Sequence, residues 1–109
     1  MDEAEGIAFD NQIYCRDSRD LSFIPDGMVD LTITSPIYWQ AGVKYTTVTD
    51  IMPLEEYTDL HRAAWLECYR VTKPGGRIAA VVANVGRDPY TRLDALHAQL
   101  LTEAGFVDR

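Results

Sequence analysis

The stretch that decides the fold is Met28-Val29-Asp30-Leu31-Thr32-Ile33-Thr34, which runs directly into Ser35-Pro36. It is mostly apolar and rich in β-branched side chains, as is typical of a central parallel strand that is buried on both faces. Proline lacks the backbone N–H that a strand ladder needs, so the strand should end before Pro36. We therefore predict a buried strand over residues 28–34, with Ser35 just beyond its carboxyl end.

The segments on either side of this strand alternate between strand and helix patterns. A short strand is predicted over residues 12–15, and a long loop over residues 37–50. Four further elements are predicted after this loop. They are a helix that begins at Pro53 and is ended by Lys73-Pro74-Gly75-Gly76, a strand over residues 77–83, a helix capped by Gly105 and a strand that starts at Phe106. This order predicts an α/β fold with a mostly parallel sheet and flanking helices, joined by right-handed crossovers.

Helical spacing defines the buried face of the first predicted helix. The residues assigned to the face that packs on the sheet are Tyr57, Leu60, Ala64, Cys68 and Val71. His61 and His97 fall within the two predicted helices with no partner nearby. We interpret both as surface residues or as hydrogen-bonded structural residues.

Composition excludes several classes of protein. The 109 residues are 47% apolar and 25% charged, which fits one ordinary domain and excludes global disorder. No apolar run approaches the ~20 residues that span a bilayer, and no signal or transit peptide precedes the domain, so we expect a cytoplasmic protein without membrane contact. Cys15 and Cys68 form no pair or cluster with histidine, so no metal site is expected. The net charge of −7 makes this stretch alone a poor binder of nucleic acid.

Three polar segments follow the predicted strands. They are Asp17-Ser18, Thr34-Ser35-Pro36-Ile37-Tyr38-Trp39 and Asn84-Val85-Gly86. Ligands of open parallel sheets bind beyond the carboxyl ends of the strands. The sequence therefore places its candidate site where these three segments meet.

The middle segment resembles the catalytic loop of the DNA amino-methyltransferases, in which Ser, Asp or Asn is followed by Pro-Pro-Tyr at the end of a strand. Tyr14-Cys15-Arg16-Asp17-Ser18 looks like the Gly-Asp-Ser stretch that precedes that loop, with Arg16 in place of glycine. Arg70-Val71-Thr72-Lys73-Pro74-Gly75-Gly76-Arg77 looks like the family's Arg-Val-Leu-Lys-Pro-Gly-Gly segment. The resemblance runs from about residue 13 to residue 106. It implies a Rossmann-like class I methyltransferase fold, S-adenosylmethionine as cofactor and DNA as the partner of the full-length protein.

The residue types of this loop suit methylation of an exocyclic base amine, on N4 of cytosine or N6 of adenine. The amine is a poor nucleophile because its lone pair is delocalised into the ring. The Ser35 hydroxyl and the Pro36 carbonyl offer two acceptors for its hydrogens, which makes both residues catalytic candidates with Tyr38. Tyr38 and Trp39 are candidates for stacking on a base extruded from the duplex. The alternative is structural, with Ser35-Pro36 as a strand terminator and the two aromatic rings covering the core.

Two further residues are assigned by resemblance to the cofactor. Asp17 would accept a hydrogen bond from the adenine amine of S-adenosylmethionine, and Thr34 would lie beside the cofactor. The structural alternative for Asp17 is a cap on the following helix.

Two departures from the family pattern bear on activity. Ile37 stands where the family usually has its second proline, so the loop is either held by other contacts or impaired. No Phe-x-Gly-x-Gly turn for the methionine end of the cofactor is found. We therefore expect residues 1–109 to be one partial domain, the catalytic-loop half, from the permuted group of these enzymes. By itself it should bind the cofactor weakly or not at all and be inactive.

Two alternatives stay open at this level. The same fold also methylates amines or amides of RNA or protein. A non-catalytic remnant that serves only as an interaction module would explain Ile37 and the missing glycine turn. An uncovered sheet edge should in either case favour self-association.

Overall fold

The computed structural model describes residues 9–42, 49–86 and 90–109. In chain order its elements are β1 (Val29–Thr34), α1 (Leu54–Val71), β2 (Thr72–Ala80) and α2 (Leu93–Ala104). β1 and β2 pair in parallel, and α1 connects them. The predicted α/β fold with parallel strands and flanking helices is confirmed.

The two strands approach closely at Gly76. A Cβ atom at this position would lie 2.9 Å from the Lys73 carbonyl oxygen and 3.1 Å from the Asp30 carbonyl oxygen. The pairing becomes regular beyond it, from Leu31 opposite Arg77 to Thr34 opposite Ala80. The Lys73 contact lies within β2 and the Asp30 contact joins it to β1, so close backbone packing favours glycine here in addition to any role in ending the helix.

Helix α1 begins directly after Pro53, as its sequence predicts. Proline is tolerated there because the first N–H groups of a helix have no partner inside it, and Glu55 and Glu56 suit the positive end of the helix dipole. Its buried residues are Tyr57, His61, Ala64, Trp65, Cys68 and Val71. The predicted face is thus confirmed, with Leu60 only half-buried and with His61 and Trp65 added to it.

The core lies on one side of the sheet. Trp65, Cys68 and Leu100 form its centre, and the residues packed against them are Ile78, Ala80, Leu96, Leu101 and Ala104. On the opposite face the side chains are largely exposed, with Leu31 54% and Ile33 71% exposed. The prediction that the strand over residues 28–34 is buried on both faces is therefore wrong for the described residues.

Two predicted strands are absent from the described residues. Residues 12–15 are irregular and Ile13 is 99% exposed. Phe106 does not start a strand. Its ring packs against the ring of Tyr69, with the ring centres 5.2 Å apart. β2 also begins at Thr72 and ends at Ala80, whereas the sequence predicts residues 77–83.

Arg70 fastens the segment before β1 onto α1. Its guanidinium donates to the carbonyl oxygens of Leu21 (2.8 Å) and Ile24 (3.0 Å), and it pairs with Asp26 and Glu67. An Ile24 N–H to Leu21 carbonyl bond of 2.8 Å closes a single turn in this segment. Neither described helix is both long enough and apolar enough to cross a membrane.

Candidate active site

The candidate catalytic loop leaves the sheet at Thr34. The Thr34 carbonyl accepts the Val81 N–H at 2.9 Å, so this residue completes the ladder with the strand segment beside it. Thr34 is opposite Ala80, and both are half-buried. Ser35 follows as an exposed residue, and no described residue is hydrogen-bonded to its hydroxyl or to the Pro36 carbonyl.

Two hydrogen bonds anchor the loop beyond Pro36. The Tyr57 hydroxyl of α1 donates to the Ile37 carbonyl at 2.7 Å. The Trp39 indole N–H donates to the Met52 carbonyl at 2.7 Å. Tyr38, between them, is 44% exposed. The backbone is thus held on both sides of a tyrosine ring that stays at the surface.

A buried carboxylate shapes the turn after Trp39. Asp50 is 0% exposed, and its side chain accepts the N–H groups of Ala41 (3.2 Å) and Gly42 (2.8 Å). Its carbonyl accepts the N–H of Gln40 at 2.9 Å, and Gln40 has a positive φ of 57°. The sequence indicates only a long loop here, because no local pattern assigns Asp50 to this turn.

A small groove lies between the loop and the segment that follows β2. Its described lining is Trp39, Gln40, Val85, Gly86 and Thr91, and its volume is about 210 Å³. Sites for drug-sized ligands are roughly 300–1,000 Å³, so this groove suits a single small ring system. A larger groove of about 470 Å³, along Arg19 and the start of α1, is open and includes none of residues 34–39.

Asp17 is engaged by its neighbour. The Arg19 guanidinium donates to both carboxylate oxygens, at 3.0 Å and 2.6 Å, and the Arg19 N–H donates at 2.9 Å. These bonds lower the pKa of Asp17 to about 2, so the carboxylate is ionised at neutral pH. No hydrogen bond or ion pair among the described residues joins Asp17 to the loop. The structure does not bring these two predicted parts of the site into contact.

The third polar segment has a structural partner. The Asn84 side-chain oxygen accepts the N–H of Asp94 at 2.9 Å, in the first turn of α2. Asp94 also pairs with Arg92 at 2.8 Å. Asn84 therefore satisfies an N–H at the start of a helix, although it follows β2 where the sequence predicts a ligand residue.

Both histidines lie in one buried cluster, which corrects the expectation that they have no partner nearby. The His97 Nε2 atom is 2.8 Å from the Tyr57 hydroxyl, and the Trp65 indole N–H donates to His97 Nδ1 at 3.1 Å. The His61 Nδ1 is 2.9 Å from the Tyr57 carbonyl, and the two imidazole ring centres are 4.7 Å apart. Burial, with a smaller contribution from His61, lowers the pKa of His97 to about 4.

One sequence signal points to this cluster. Tyr57, His61 and Trp65 are spaced by four residues, so they share one face of α1. Nothing in that spacing reveals that His97 of α2 packs on the same face.

No group of three or more side chains suited to hold a metal ion occurs within residues 9–42, 49–86 and 90–109.

The chain was compared with known protein families, sequences and structures. No known protein-family model matches the chain. Over 69 residues it is 41% identical to the type II methyltransferase M.BglII of Bacillus subtilis, a match that covers 62% of this chain and 18% of that protein.

Crystal structures of TTHA0409 from Thermus thermophilus, a candidate DNA modification methylase, share the fold. One matches with a TM-score of 0.70 and 28% identity over 86% of this chain and 40% of that chain. Another, complexed with S-adenosyl-L-methionine, matches with a TM-score of 0.68 and 29% identity over 85% of this chain and 40% of that chain.

The chain spans only part of each of these relatives. It spans 18% of the length of M.BglII and 40% of the TTHA0409 chain. The chain is therefore similar in sequence to part of a type II methyltransferase, and in sequence and fold to part of a candidate DNA modification methylase.

Proposed function

We propose that this chain is the catalytic-loop part of an S-adenosylmethionine-dependent DNA methyltransferase that modifies an exocyclic base amine, N4 of cytosine or N6 of adenine. One observation carries the proposal. Ser35-Pro36-Ile37-Tyr38 leaves the carboxyl end of β1 with its backbone anchored at Ile37, while the Ser35 and Tyr38 side chains stay at the surface. This is where open parallel sheets bind their ligands.

The first task of such a loop is to activate the amine. The Ser35 hydroxyl and the Pro36 carbonyl are two acceptors on adjacent residues, and no described residue occupies either one. Aimed at the two N–H bonds, they favour a tetrahedral nitrogen with its lone pair released from the ring. Acceptors that are fixed in advance need no reorganisation when charge develops on the amine.

The second task is to hold the base. The exposed Tyr38 ring offers a stacking face, and the groove beside Trp39 has the volume of a small ring system. Because the Trp39 indole N–H is bonded to the Met52 carbonyl, Trp39 contributes its ring face rather than a hydrogen bond. Stacking on aromatic side chains compensates for part of the cost of extruding a base.

S-Adenosylmethionine would supply the methyl group from its sulfonium centre. Support comes from the matching TTHA0409 structure that is complexed with it. The described residues form only part of a site for it, because Asp17 accepts a cofactor amine only if Arg19 is displaced, and the sequence lacks the glycine-rich turn. The remaining contacts would come from the rest of the domain.

DNA is the proposed substrate, and the surface that binds its phosphates would lie outside this chain. A net charge of −7 disfavours contact with phosphates. Self-association through the uncovered face around Leu31 and Ile33, and a cytoplasmic location, stay predictions.

The test uses the complete methyltransferase polypeptide, duplex DNA and labelled S-adenosylmethionine, with mass spectrometry of the digested bases. The product identifies N4-methylcytosine or N6-methyladenine. Ser35→Ala should slow single-turnover transfer about 100-fold while cofactor affinity is retained. Ser22→Ala, at an exposed serine before β1, is the matched control and should leave the rate unchanged.

The aromatic role is tested separately. Tyr38→Ala should weaken productive DNA binding about tenfold, since stacking contributes ~1 to 3 kcal/mol per base, and Tyr38→Phe should retain most of it. Full methyl transfer by a Ser35→Ala, Tyr38→Ala double variant would remove the loop from the mechanism. A folded wild-type polypeptide that methylates no base would favour the non-catalytic remnant.

A further inference from the structure

A buried hydrogen-bond path connects the two helices to the candidate catalytic loop. It runs from the Trp65 indole to His97 (3.1 Å), from His97 to the Tyr57 hydroxyl (2.8 Å) and from that hydroxyl to the Ile37 carbonyl (2.7 Å). The three side chains are at most 3% exposed. We call this the Trp65–Ile37 path.

The Trp65 indole N–H, at one end of the path, determines which atom donates and which accepts in each of the other hydrogen bonds. An indole N–H can only donate, so His97 Nδ1 must accept. In the neutral imidazole the hydrogen is then on Nε2, which donates to the Tyr57 oxygen. The Tyr57 hydrogen is thereby directed to the Ile37 carbonyl.

The other neutral tautomer of His97 would weaken the hydrogen bond from Tyr57 to Ile37. With the hydrogen on Nδ1, the indole N–H would lose its acceptor, and Nε2 would become an acceptor that competes with Ile37 for the Tyr57 hydrogen. Burial keeps the imidazole neutral, with its pKa lowered to about 4. These three hydrogen bonds are satisfied together in one arrangement of the protons, and the last of them ends on the loop.

Ile37 is the position at which a defined backbone matters. It lies between Pro36, whose carbonyl is a candidate acceptor for the amine, and the surface ring of Tyr38. Ile37 has no ring of its own to restrict its backbone or that of Pro36. A hydrogen bond to its carbonyl fixes the orientation of the peptide plane that joins it to Tyr38.

We propose that Tyr57, oriented by Trp65 and His97, is a positioning residue that holds the Ile37 peptide and thereby sets the geometry of Ser35, Pro36 and Tyr38. This inference rests on the proposed function for its catalytic consequence. In this proposal Trp65, His97 and Tyr57 need no contact with the base or the cofactor. They act through Ile37.

The kinetic test compares two hydroxyl deletions on the same helix in the complete polypeptide. Tyr57→Phe removes the donor to Ile37, whereas Tyr69→Phe changes a half-exposed ring that packs on Phe106. We expect Tyr57→Phe to lower the single-turnover rate about tenfold with cofactor affinity unchanged, and Tyr69→Phe to change neither. An unchanged rate for Tyr57→Phe in a polypeptide that is active as wild type would overturn the inference.

A spectroscopic test does not depend on activity. ¹⁵N NMR of the imidazole nitrogens, with His97 assigned from a His97→Gln variant, should show the Nε2–H tautomer in the wild type. Trp65→Phe should shift the population toward Nδ1–H, because the donor that selects the tautomer is gone. An Nδ1–H tautomer in the folded wild-type protein would refute the path, even where Tyr57→Phe fails to fold.

Rescue separates positioning from simple packing. The amide of His97→Gln can still donate toward Tyr57, so this variant should retain several-fold more activity than the apolar His97→Leu. Equal loss in both, with both folded, would contradict the proposed role of the hydrogen bonds. Failure of the wild type to methylate DNA would refute the proposed function and leave the tautomer measurement as the test of the path.

Discussion

Acidification from pH 7 toward pH 4 should destabilise this chain through His97. The ring is 1% exposed, and burial lowers its pKa from the ordinary 6.5 to about 4. Among the described residues, the titratable side chains in contact with it are Tyr57 and His61, both on α1. Between pH 6.5 and 4 the unfolded chain binds a proton that the folded chain excludes. Stability therefore rises with pH through this window, and the contribution of His97 is complete above pH 6.5.

The size of the effect follows from the shift in pKa. A difference of 6.5 to about 4 corresponds to a contribution of about 3 kcal/mol at most, at 1.36 kcal/mol per unit. Protonation would also remove the acceptor of the Trp65 indole N–H, because Nδ1 would then carry a hydrogen. Hydrogen bonds from arginine lower the pKa of Asp17 to about 2 and also lower the pKa of Asp94, so both carboxylates titrate mostly below this window. The histidine contribution is thus separable from theirs by pH.

The assay is urea denaturation followed by tryptophan fluorescence at pH 7.5 and pH 4.5, since Trp65 contacts His97 directly. With typical urea slopes of ~1 to 3 kcal/mol/M, the midpoint should fall by roughly 1 M or more. The glutamine of His97→Gln does not titrate, so this variant should show a smaller fall. The remainder is due to His61, whose pKa is lowered by burial, and to Glu67, whose pKa is lowered chiefly by its hydrogen bond from Arg70. Equal pH dependence in wild type and His97→Gln would refute the reasoning.

Three further predictions concern the positions around the site. Gly76→Ala should lower the free energy of unfolding by about 1 to 3 kcal/mol in a denaturant titration, because the new Cβ would lie 2.9 Å from a backbone oxygen. Arg70→Met should speed amide hydrogen exchange in residues 21–27 while α1 stays protected, since two carbonyl bonds that fasten this segment are lost. Ile37→Pro should leave methyl transfer by the complete polypeptide nearly unchanged, because Tyr57 already holds this peptide. A large increase in rate would show that the loop lacks order.

Local pattern is sufficient where an element is defined by its own residues. β1 begins one residue after the predicted start and ends at Thr34 as predicted. α1 begins directly after Pro53. The sequence misplaces β2 because Lys73-Pro74-Gly75-Gly76 has the pattern of a helix stop and a loop. Those residues belong to the strand beside β1, and Gly76 allows the close approach.

Strands that depend on a neighbour cannot be predicted locally. Residues 12–15 and Phe106 carry apolar patterns that suit a strand, but a strand forms only where another strand satisfies its backbone groups. No described strand lies beside either segment. The exposure of the apolar Ile33 side chain has the same origin, since its pattern predicts a covering element that none of the described residues provides.

The sequence pattern does not predict the histidine cluster, because the cluster depends on contacts between residues far apart in the chain. Tyr57 and His97 are 40 residues apart, and only the packing of α2 on α1 brings the hydroxyl and the imidazole within 2.8 Å. The sequence does contain a partial signal, because a tyrosine, a histidine and a tryptophan at four-residue spacing place polar groups on the face assigned to the core. Buried polar groups require partners. A histidine on such a face therefore predicts a partner on the next element, and here that partner leads to the backbone of Ile37.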